Sequence, residues 1–370
     1  YGSGVFMGAM THEFGWTRTQ FSSALLVQML CGLIAGPTGG FLLDRIGPRR
    51  MLLLGIIPFT LALSLFALTN GALWQWWLFA ALLSLTSTGV GPNTWILGIV
   101  RSFDRARGLA MAMALAGVGV ATAIWPVIVA RLITLEGWRL AYPTIAVGWM
   151  ILILPLTIGW YRPAELPPVS GVKTKAVSVW PVLRLGSFWL LLGAGCLFVN
   201  VALALTLHLI PILQAHHLSL VTAGSLAFLT GIFSILGRVG TGFLLDRLPS
   251  RPIALVAFSL PLPVLALLGS PDAAMPQLIA ASMLLGLAMG AETDVVAYMA
   301  SRRFDTRIFG SVYALFQVGF SIFASLGPVL ASKLFDISGN YDRYFLVALP
   351  ITLTALVLIT CVPGLGKARL

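Results

Sequence analysis

The hexapeptide Gly40-Phe41-Leu42-Leu43-Asp44-Arg45 returns unchanged as Gly242-Phe243-Leu244-Leu245-Asp246-Arg247, 202 residues further on in a chain of 370. An identity of that length, spaced by half the chain, is the mark of an internal repeat, so the chain reads as two copies of one structural unit. Each copy stands between long apolar stretches and is followed by basic residues, the pattern of a helix that leaves a bilayer, turns and re-enters it. The repeat therefore predicts a membrane protein of two parallel units, related by an axis along the membrane normal.

Composition agrees: 58% of residues are hydrophobic and 9% charged, against about 25% charged in soluble domains. The formal charge of +11 would suggest nucleic acid as a partner in a soluble protein. Here the basic residues sit at the ends of apolar stretches, so their natural partner is membrane lipid and no nucleic acid is expected.

A hydrocarbon core of about 30 Å needs roughly 20 helical residues. Spans of that length are predicted near 19–43, 51–70, 73–100, 108–133 and 140–160, then near 186–211, 219–245, 252–270, 277–301, 308–333 and 343–363. Residues 1–11 are apolar but too short to cross, and read as the outer end of a first helix truncated at its start. The expectation is an all-α protein of twelve helices, six per half. A cleaved signal peptide fits poorly, because no basic region or small-residue cleavage site is present at this start. The stretch 162–185, with Pro163, Pro167, Pro168, Gly171, Lys173 and Lys175, is polar, basic and helix-breaking. It predicts a linker between a bundle at 1–161 and a bundle at 186–370.

Orientation follows from the basic residues. Arg45, Arg49, Arg50, Arg101, Arg105, Arg107, Lys173, Arg247, Arg251, Arg302, Arg303 and Arg307 fall in loops on one side; Arg18, Arg131, Arg139, Lys333 and Arg343 make up the sparser other side. The richer side is predicted cytosolic, which puts both ends of the chain in the cytosol, with a bacterial inner (cell) membrane as the expected location. Cys31, Cys196 and Cys361 lie inside apolar helices without metal-ligand spacing and read as packing residues. No glycine-rich phosphate loop of the Walker kind and no Gly-x-Ser-x-Gly elbow is found, so neither ATP nor any other cofactor is expected and an enzyme is not.

Gly40-x-x-x-Asp44-Arg45-x-Gly47-x-Arg49-Arg50, between helices 2 and 3, resembles the signature loop of the major facilitator superfamily. Gly242-x-x-x-Asp246-Arg247-x-x-x-Arg251, between helices 8 and 9, is its degraded second copy. Within the superfamily, Glu13-Phe14-Gly15-Trp16-Thr17-Arg18 resembles the Phe-Gly-Trp-Ser-Arg stretch of the monocarboxylate transporter and oxalate/formate exchanger group. Arg105-Ala106-Arg107-Gly108-Leu109-Ala110 with Gly117-Val118-Gly119, and Gly137-Trp138-Arg139, resemble that group's starts of helices 5 and 6. The resemblance implies two six-helix bundles related by a pseudo-two-fold axis. It also implies a secondary transporter that carries a small organic anion, a proton-coupled monocarboxylate of the lactate or pyruvate kind, by alternating access. An exchanger or exporter of another organic anion or drug is the alternative; a membrane-embedded enzyme using His208, or a sensor that keeps the fold, is a remote one.

Asp44 ends a helix at the cytosolic face, where it can accept hydrogen bonds from a neighbouring helix N-terminus and pair with arginine of the helix 4–5 loop. With Arg45, Arg49, Asp246 and Arg247 it forms the expected cytosolic gate; the bland alternative is that these charges only set topology.

Of the charged residues, Arg238, Glu292 and Asp294 lie clearly within a span. Charge in hydrocarbon costs about 3 kcal/mol even on lenient scales, so such residues face a cavity or one another. Arg238 is eight residues before Asp246 and Asp294 eight before Arg302, which puts both roughly 12 Å from the cytosolic side. Their repeat mates are uncharged: Gly36 opposite Arg238, and Val90 and Pro92 opposite Glu292 and Asp294. The group resemblance implies that Arg238 is the ligand of the substrate carboxylate, for which a planar, permanently protonated fork is suited. Two departures from the animal lactate carriers stand out: Ser234 where they have an Asp one turn before the Arg, and Val5 where they have a helix 1 Lys. Glu292 and Asp294 are about 200° apart around their helix and are both proton-coupling candidates; Asp294 is the first choice to face Arg238, which leaves Glu292 as the preferred proton-carrying group with Asp294 as the alternative. Tyr313, Gln317, Ser321 and Ser325 recur every four residues on helix 11. Asn93, Asn200 and His208 offer further polar groups on helices 4 and 7, as substrate contacts or as interhelical hydrogen-bond glue. His216 and His217 are expected in an outer loop.

Overall fold

The computed structural model describes residues 3–91, 94, 95, 97, 107–161, 180–304 and 309–363. The helices are α1 (Ser3–Phe14), α2 (Arg18–Ile46), α3 (Pro48–Ser64, extended by a 3-10 turn, Leu65–Leu68), α4 (Leu73–Val90), α5 (Arg107–Glu136) and α6 (Trp138–Gly159) in the first half. The second half has α7 (Gly186–Ala215), α8 (Leu220–Arg247), α9 (Ser250–Ser259 and Pro261–Leu268), α10 (Met275–Arg303), α11 (Phe309–Ser338) and α12 (Asp342–Cys361), preceded by one helical turn at Trp180–Leu183. Among the described residues, ten helical stretches are long and apolar enough to cross a membrane. No strand occurs among the described residues.

Local chemistry sets the boundaries. Thr17 caps α2, its hydroxyl accepting from Gln20 N–H while the Gln20 side chain accepts from Thr17 N–H, so two orphan amides are satisfied at once. Ser219 caps α8 with its hydroxyl alone, which accepts from Thr222 N–H. The joints α2–α3 and α5–α6 are single glycines, Gly47 and Gly137, at φ 81° and 82°, where a side chain would be strained. Each joint thus reverses the chain in one residue. Leu54, Leu61, Ile151, Leu152 and Leu346 are exposed on the outside of the bundle, as expected where lipid replaces water.

The burial pattern distinguishes the two ends of the molecule. One buried cluster joins both halves: Met10, Phe21, Trp76 and Tyr142 from the first pack in the same core as Leu205, Leu213, Leu226 and Tyr344 from the second. It lies at the end opposite the basic loops. Among the described residues the second cluster, including Phe188, Phe198, Phe258, Val295 and Phe316, is built by the second half alone and lies toward the basic end. The halves meet through α2 against α11 and α5 against α8, equivalent pairs under the repeat. At Gly231 a Cβ would lie 2.1 Å from Ala123 N, so α5 and α8 touch backbone to backbone, the close approach small residues permit in membranes.

The repeat is visible at atomic detail. Arg45 lies over the Phe41 ring at 4.1 Å and Arg247 over Phe243 at 3.8 Å. Identical residues therefore make the same cation–π contact in both halves.

Candidate functional site

Among the described residues, the most extensive helix contact is that of α8 with α10, and glycine permits it. A Cβ on Gly286 would fall 2.4 Å from Thr230 O, and one on Gly290 2.1 Å from Ser234 O and 2.7 Å from Arg238 N. From the other side, a Cβ on Gly237 would meet Leu287 O at 2.6 Å. This small-x-x-x-small pairing brings the backbone carrying Arg238 against the backbone leading to Glu292 and Asp294. With no side chains between the helices at these positions, Arg238 and Asp294 come within ion-pair range.

Arg238 Nε lies 3.9 Å from Asp294 Oδ2, and both side chains keep about a third of their surface, 29% and 33%. A contact this long through Nε is a loose one, well beyond the 2.7–2.9 Å of a charge-assisted hydrogen bond. Glu292, two residues before Asp294, is buried at 4% exposure, and among the described residues its Oε1 has no hydrogen-bond partner. It lies within electrostatic reach of Cys196 on α7. Tyr313 of α11 feels Glu292, Asp294 and Arg238 together, so four of the residues singled out in the sequence converge on one locus.

Others are placed differently. Gln317 is exposed, and Ser321 and Ser325 donate to the carbonyls of Gln317 and Ser321 on their own helix. Asn200 donates to Phe323 O at 3.0 Å and holds α7 to α11. His208 is fully buried, bonded to Tyr341 Oη at 2.8 Å, Pro328 O at 3.1 Å and Ser332 Oγ at 3.1 Å. It sits seven residues from the outer end of α7, while Arg238 sits eighteen from the outer end of α8, a difference of about 17 Å in depth. The structure does not bring His208 to the charged locus. Asn93 lies outside the described residues.

At the basic end, Arg49 Nη2 donates to Ile158 O at 2.9 Å within the first half. Arg45 and Arg247 rest on rings of their own helices, and Asp246 is exposed. Asp44 belongs to α2, but its side chain and the loop arginines at 101–106 lie outside the described residues.

The opposite end carries a closure with no sequence signature. The carboxylate of Asp336, near the end of α11, accepts from Arg18 N–H at 2.9 Å and Thr19 N–H at 2.8 Å, capping α2 from the other half of the chain. Such a cap combines two hydrogen bonds with the positive end of the helix dipole. The Arg18 guanidinium lies 3.5 Å from the Phe335 ring centroid and donates to Tyr341 Oη. Burial raises the Tyr341 phenol well above its ordinary pKa, so it stays protonated. One turn deeper, Ser22 Oγ and Ser332 Oγ are 2.6 Å apart. Beside this closure, Trp138 Nε1 donates to Glu13 Oε2 at 2.5 Å and Arg139 pairs with Glu13 Oε1. Trp16 Nε1 donates to Gly71 O at 2.9 Å. The two stretches of sequence around Trp16 and Trp138 therefore clasp one another.

The chain is 27% identical over 360 residues to a cattle protein named monocarboxylate transporter 13, covering 93% of this chain and 80% of that one. It is 26% identical over 356 residues to the 3-(3-hydroxy-phenyl)propionate transporter of Escherichia coli, covering 90% and 82%. An uncharacterized transporter of Bacillus subtilis, YcxA, is 24% identical over 389 residues, covering 98% and 90%. These relatives are transporters and not enzymes. Residues 1–274 match the model of the Major Facilitator Superfamily; with that match and an all-helical, membrane-spanning architecture in two halves, the chain belongs to the major facilitator superfamily.

Proposed function

We propose that the protein is a proton-coupled carrier of a small organic anion, a monocarboxylate, working by alternating access. The observation that carries the reading is the loose Arg238–Asp294 pair, 3.9 Å apart and partly exposed within the second half. A substrate carboxylate offers Arg238 two oxygens in the geometry its fork is built for and displaces the longer contact to Asp294. Tyr313, within electrostatic range of the pair, is the candidate hydroxyl contact for the anion. Gln317, Asn93, Asn200 and His208 complete the candidate substrate set, the last two holding the cavity walls rather than touching the anion. Glu292 is the proton carrier: an ionised carboxylate with an oxygen unpartnered among the described residues is costly in that position.

Movement is the rocking of residues 1–161 against 186–370, linked by 162–185. The clasp of Arg18 with Asp336 closes one end in the present state, and Asp44, Arg45, Arg49, Asp246 and Arg247 mark the end that opens. We read the basic end, with both chain ends, as cytosolic, and the membrane as a bacterial cell membrane, two of the relatives being bacterial.

The test is counterflow in proteoliposomes against a panel of organic anions, with a pH gradient switched on and off, for the wild type and for Arg238→Gln and Arg238→Lys. Monocarboxylates should exchange, and the gradient should drive their accumulation. Both variants should lose transport while still inserting in the membrane. Substantial uptake by Arg238→Lys would overturn bidentate recognition, and indifference to every anion would overturn the reading as a whole.

A further inference from the structure

The hydrogen bonds around the buried ring of His208 run in one direction. Nε2 is 3.1 Å from Pro328 O; a carbonyl only accepts, so Nε2 carries the ring proton. Nδ1 is then an acceptor, and the Tyr341 O–H donates to it at 2.8 Å. The Tyr341 oxygen in turn accepts from the Arg18 guanidinium. On the far side of the ring, Ser332 Oγ shares the Nε2 proton at 3.1 Å, which leaves the Ser332 O–H to donate to Ser22 Oγ at 2.6 Å. The chain thus begins at Arg18 and ends at Ser22, both on α2 of the first half, and passes through a histidine of the second. Packing reinforces it: a Cβ on Gly4 of α1 would lie 2.0 Å from Leu207 O, so the first half also presses on α7 beside His208.

Only the neutral ring completes this chain. In the imidazolium both nitrogens donate, so Nδ1–H would be turned on a phenol oxygen that already accepts from Arg18, and the phenol O–H would lose its acceptor. A second cation would also be buried beside Arg18, which low-dielectric surroundings disfavour. The charged groups within electrostatic reach of His208 are Arg18 and Asp336, and both Asp336 oxygens are taken by the amides of Arg18 and Thr19. Of the other groups on the elements packed against α7, His12, Lys333, Asp342 and Arg343 are exposed, and Glu13 is held by Trp138 and Arg139. Tyr344 donates to Val201 O, while Arg238, Glu292 and Asp294 lie about 17 Å deeper.

We infer that His208 is a proton-binding residue that controls the closure at this end: the neutral ring holds the halves together, and a proton arriving at Nδ1 releases them. This role is separate from that of Glu292 at the charged locus. It rests on the rocking of the two halves proposed above and is independent of which substrate is carried. A hydrated imidazole takes up its proton near pH 6.5. With that proton excluded from the closed form, the ratio of open to closed molecules should rise about thirtyfold from about pH 7.5 to about pH 5.

The experiment places a cysteine at Ser22, which is buried in the closed form, and follows its modification by a water-soluble methanethiosulfonate in detergent, read at position 22 by mass spectrometry. Ser22→Cys leaves the arm from Arg18 through Tyr341 to His208 intact. Each rate is divided by that of N-acetylcysteine at the same pH, which removes the pH dependence of the thiol itself. The normalised rate should rise about thirtyfold over that range. The rise should vanish when His208→Gln is added, since an amide can donate and accept but takes no proton, and should persist when Asp336→Asn is added. A measurable but flat rate in Ser22→Cys alone overturns the assignment and leaves the rocking standing. A rise that survives in folded His208→Gln, or that is lost in Asp336→Asn, also overturns it, and the second arm decides even where His208→Gln does not fold. No modification at any pH would show that this end stays shut, removing the rocking and the assignment together.

Discussion

Arg49 and Arg251 stand 202 residues apart, and each donates a 2.9 Å hydrogen bond to a carbonyl, of Ile158 and of Thr360, that are themselves 202 residues apart. The second arginine of the repeated loop thus ties the α2–α3 and α8–α9 turns to the last turn of the final helix in its own half. Carbonyls there have no intrahelical donor, and a cation near a helix C-terminus is favourable. The motif makes each half a closed unit before it makes contact between halves.

Arg49→Gln and Arg251→Gln are therefore expected to weaken one half each. The loss should be about 1 kcal/mol for an exposed charged hydrogen bond. Thermal unfolding in detergent should show a similar small drop for each variant and an additive drop for the pair, since the sites are far apart. Strong non-additivity would mean that the two turns communicate across the halves.

The closure at the opposite end gives a second prediction. Ser22 and Ser332 Oγ atoms are 2.6 Å apart, so the double variant Ser22→Cys/Ser332→Cys should form a disulfide under mild oxidation. Because that contact must break in the alternate state, oxidation should arrest transport and a reductant restore it. Transport at full rate by the cross-linked protein would show that this end does not open in the cycle.

Much of the fold was legible in the sequence for a simple reason: lipid demands about twenty apolar residues for every crossing, and each demand is visible as a run. The repeated hexapeptide announced the two halves, and the eight-residue spacings to Asp246 and Arg302 placed Arg238 and Asp294 at one depth. Other features were not legible. Asp336 reaches α2 from 317 residues away in the chain, and no spacing rule connects a carboxylate to a helix terminus that distant. His208 reads in sequence either as a substrate contact or as interhelical hydrogen-bond glue; its partners Tyr341, Pro328 and Ser332 come from elements more than a hundred residues away, which no spacing rule reveals. Gly286 and Gly290 were a signal that could have been read, since glycines four apart mark a close helix contact.

A third prediction concerns Glu13, on the surface beside Trp138 and Arg139. The hydrogen bond from Trp138, and then the Arg139 cation, hold its carboxyl below the ordinary range despite some desolvation. A depressed carboxyl contributes stability above its unfolded pKa, near 4.3, and loses it as pH falls through the folded value. At 38% exposure the contribution is under about 1 kcal/mol. Glu13→Gln should lower the melting temperature slightly at pH 7, with the difference closing below about pH 4. A deficit that persists at low pH would assign the effect to packing.

The last prediction separates the two acids of α10. Asp294 faces Arg238 at 3.9 Å, whereas Glu292 is buried with an oxygen that has no partner among the described residues. If Glu292 carries the proton, Glu292→Gln mimics the loaded form permanently. Net uptake should then no longer respond to a pH gradient, while exchange of substrate for substrate continues, because exchange moves no net proton. Asp294→Asn should instead strip Arg238 of its resting partner and alter substrate affinity at every pH. The measurement is gradient-driven accumulation beside counterflow, for both variants in proteoliposomes. Should Glu292→Gln keep its response to the gradient and Asp294→Asn lose it, the roles are reversed; should both keep it, the proton travels by a route that does not include α10.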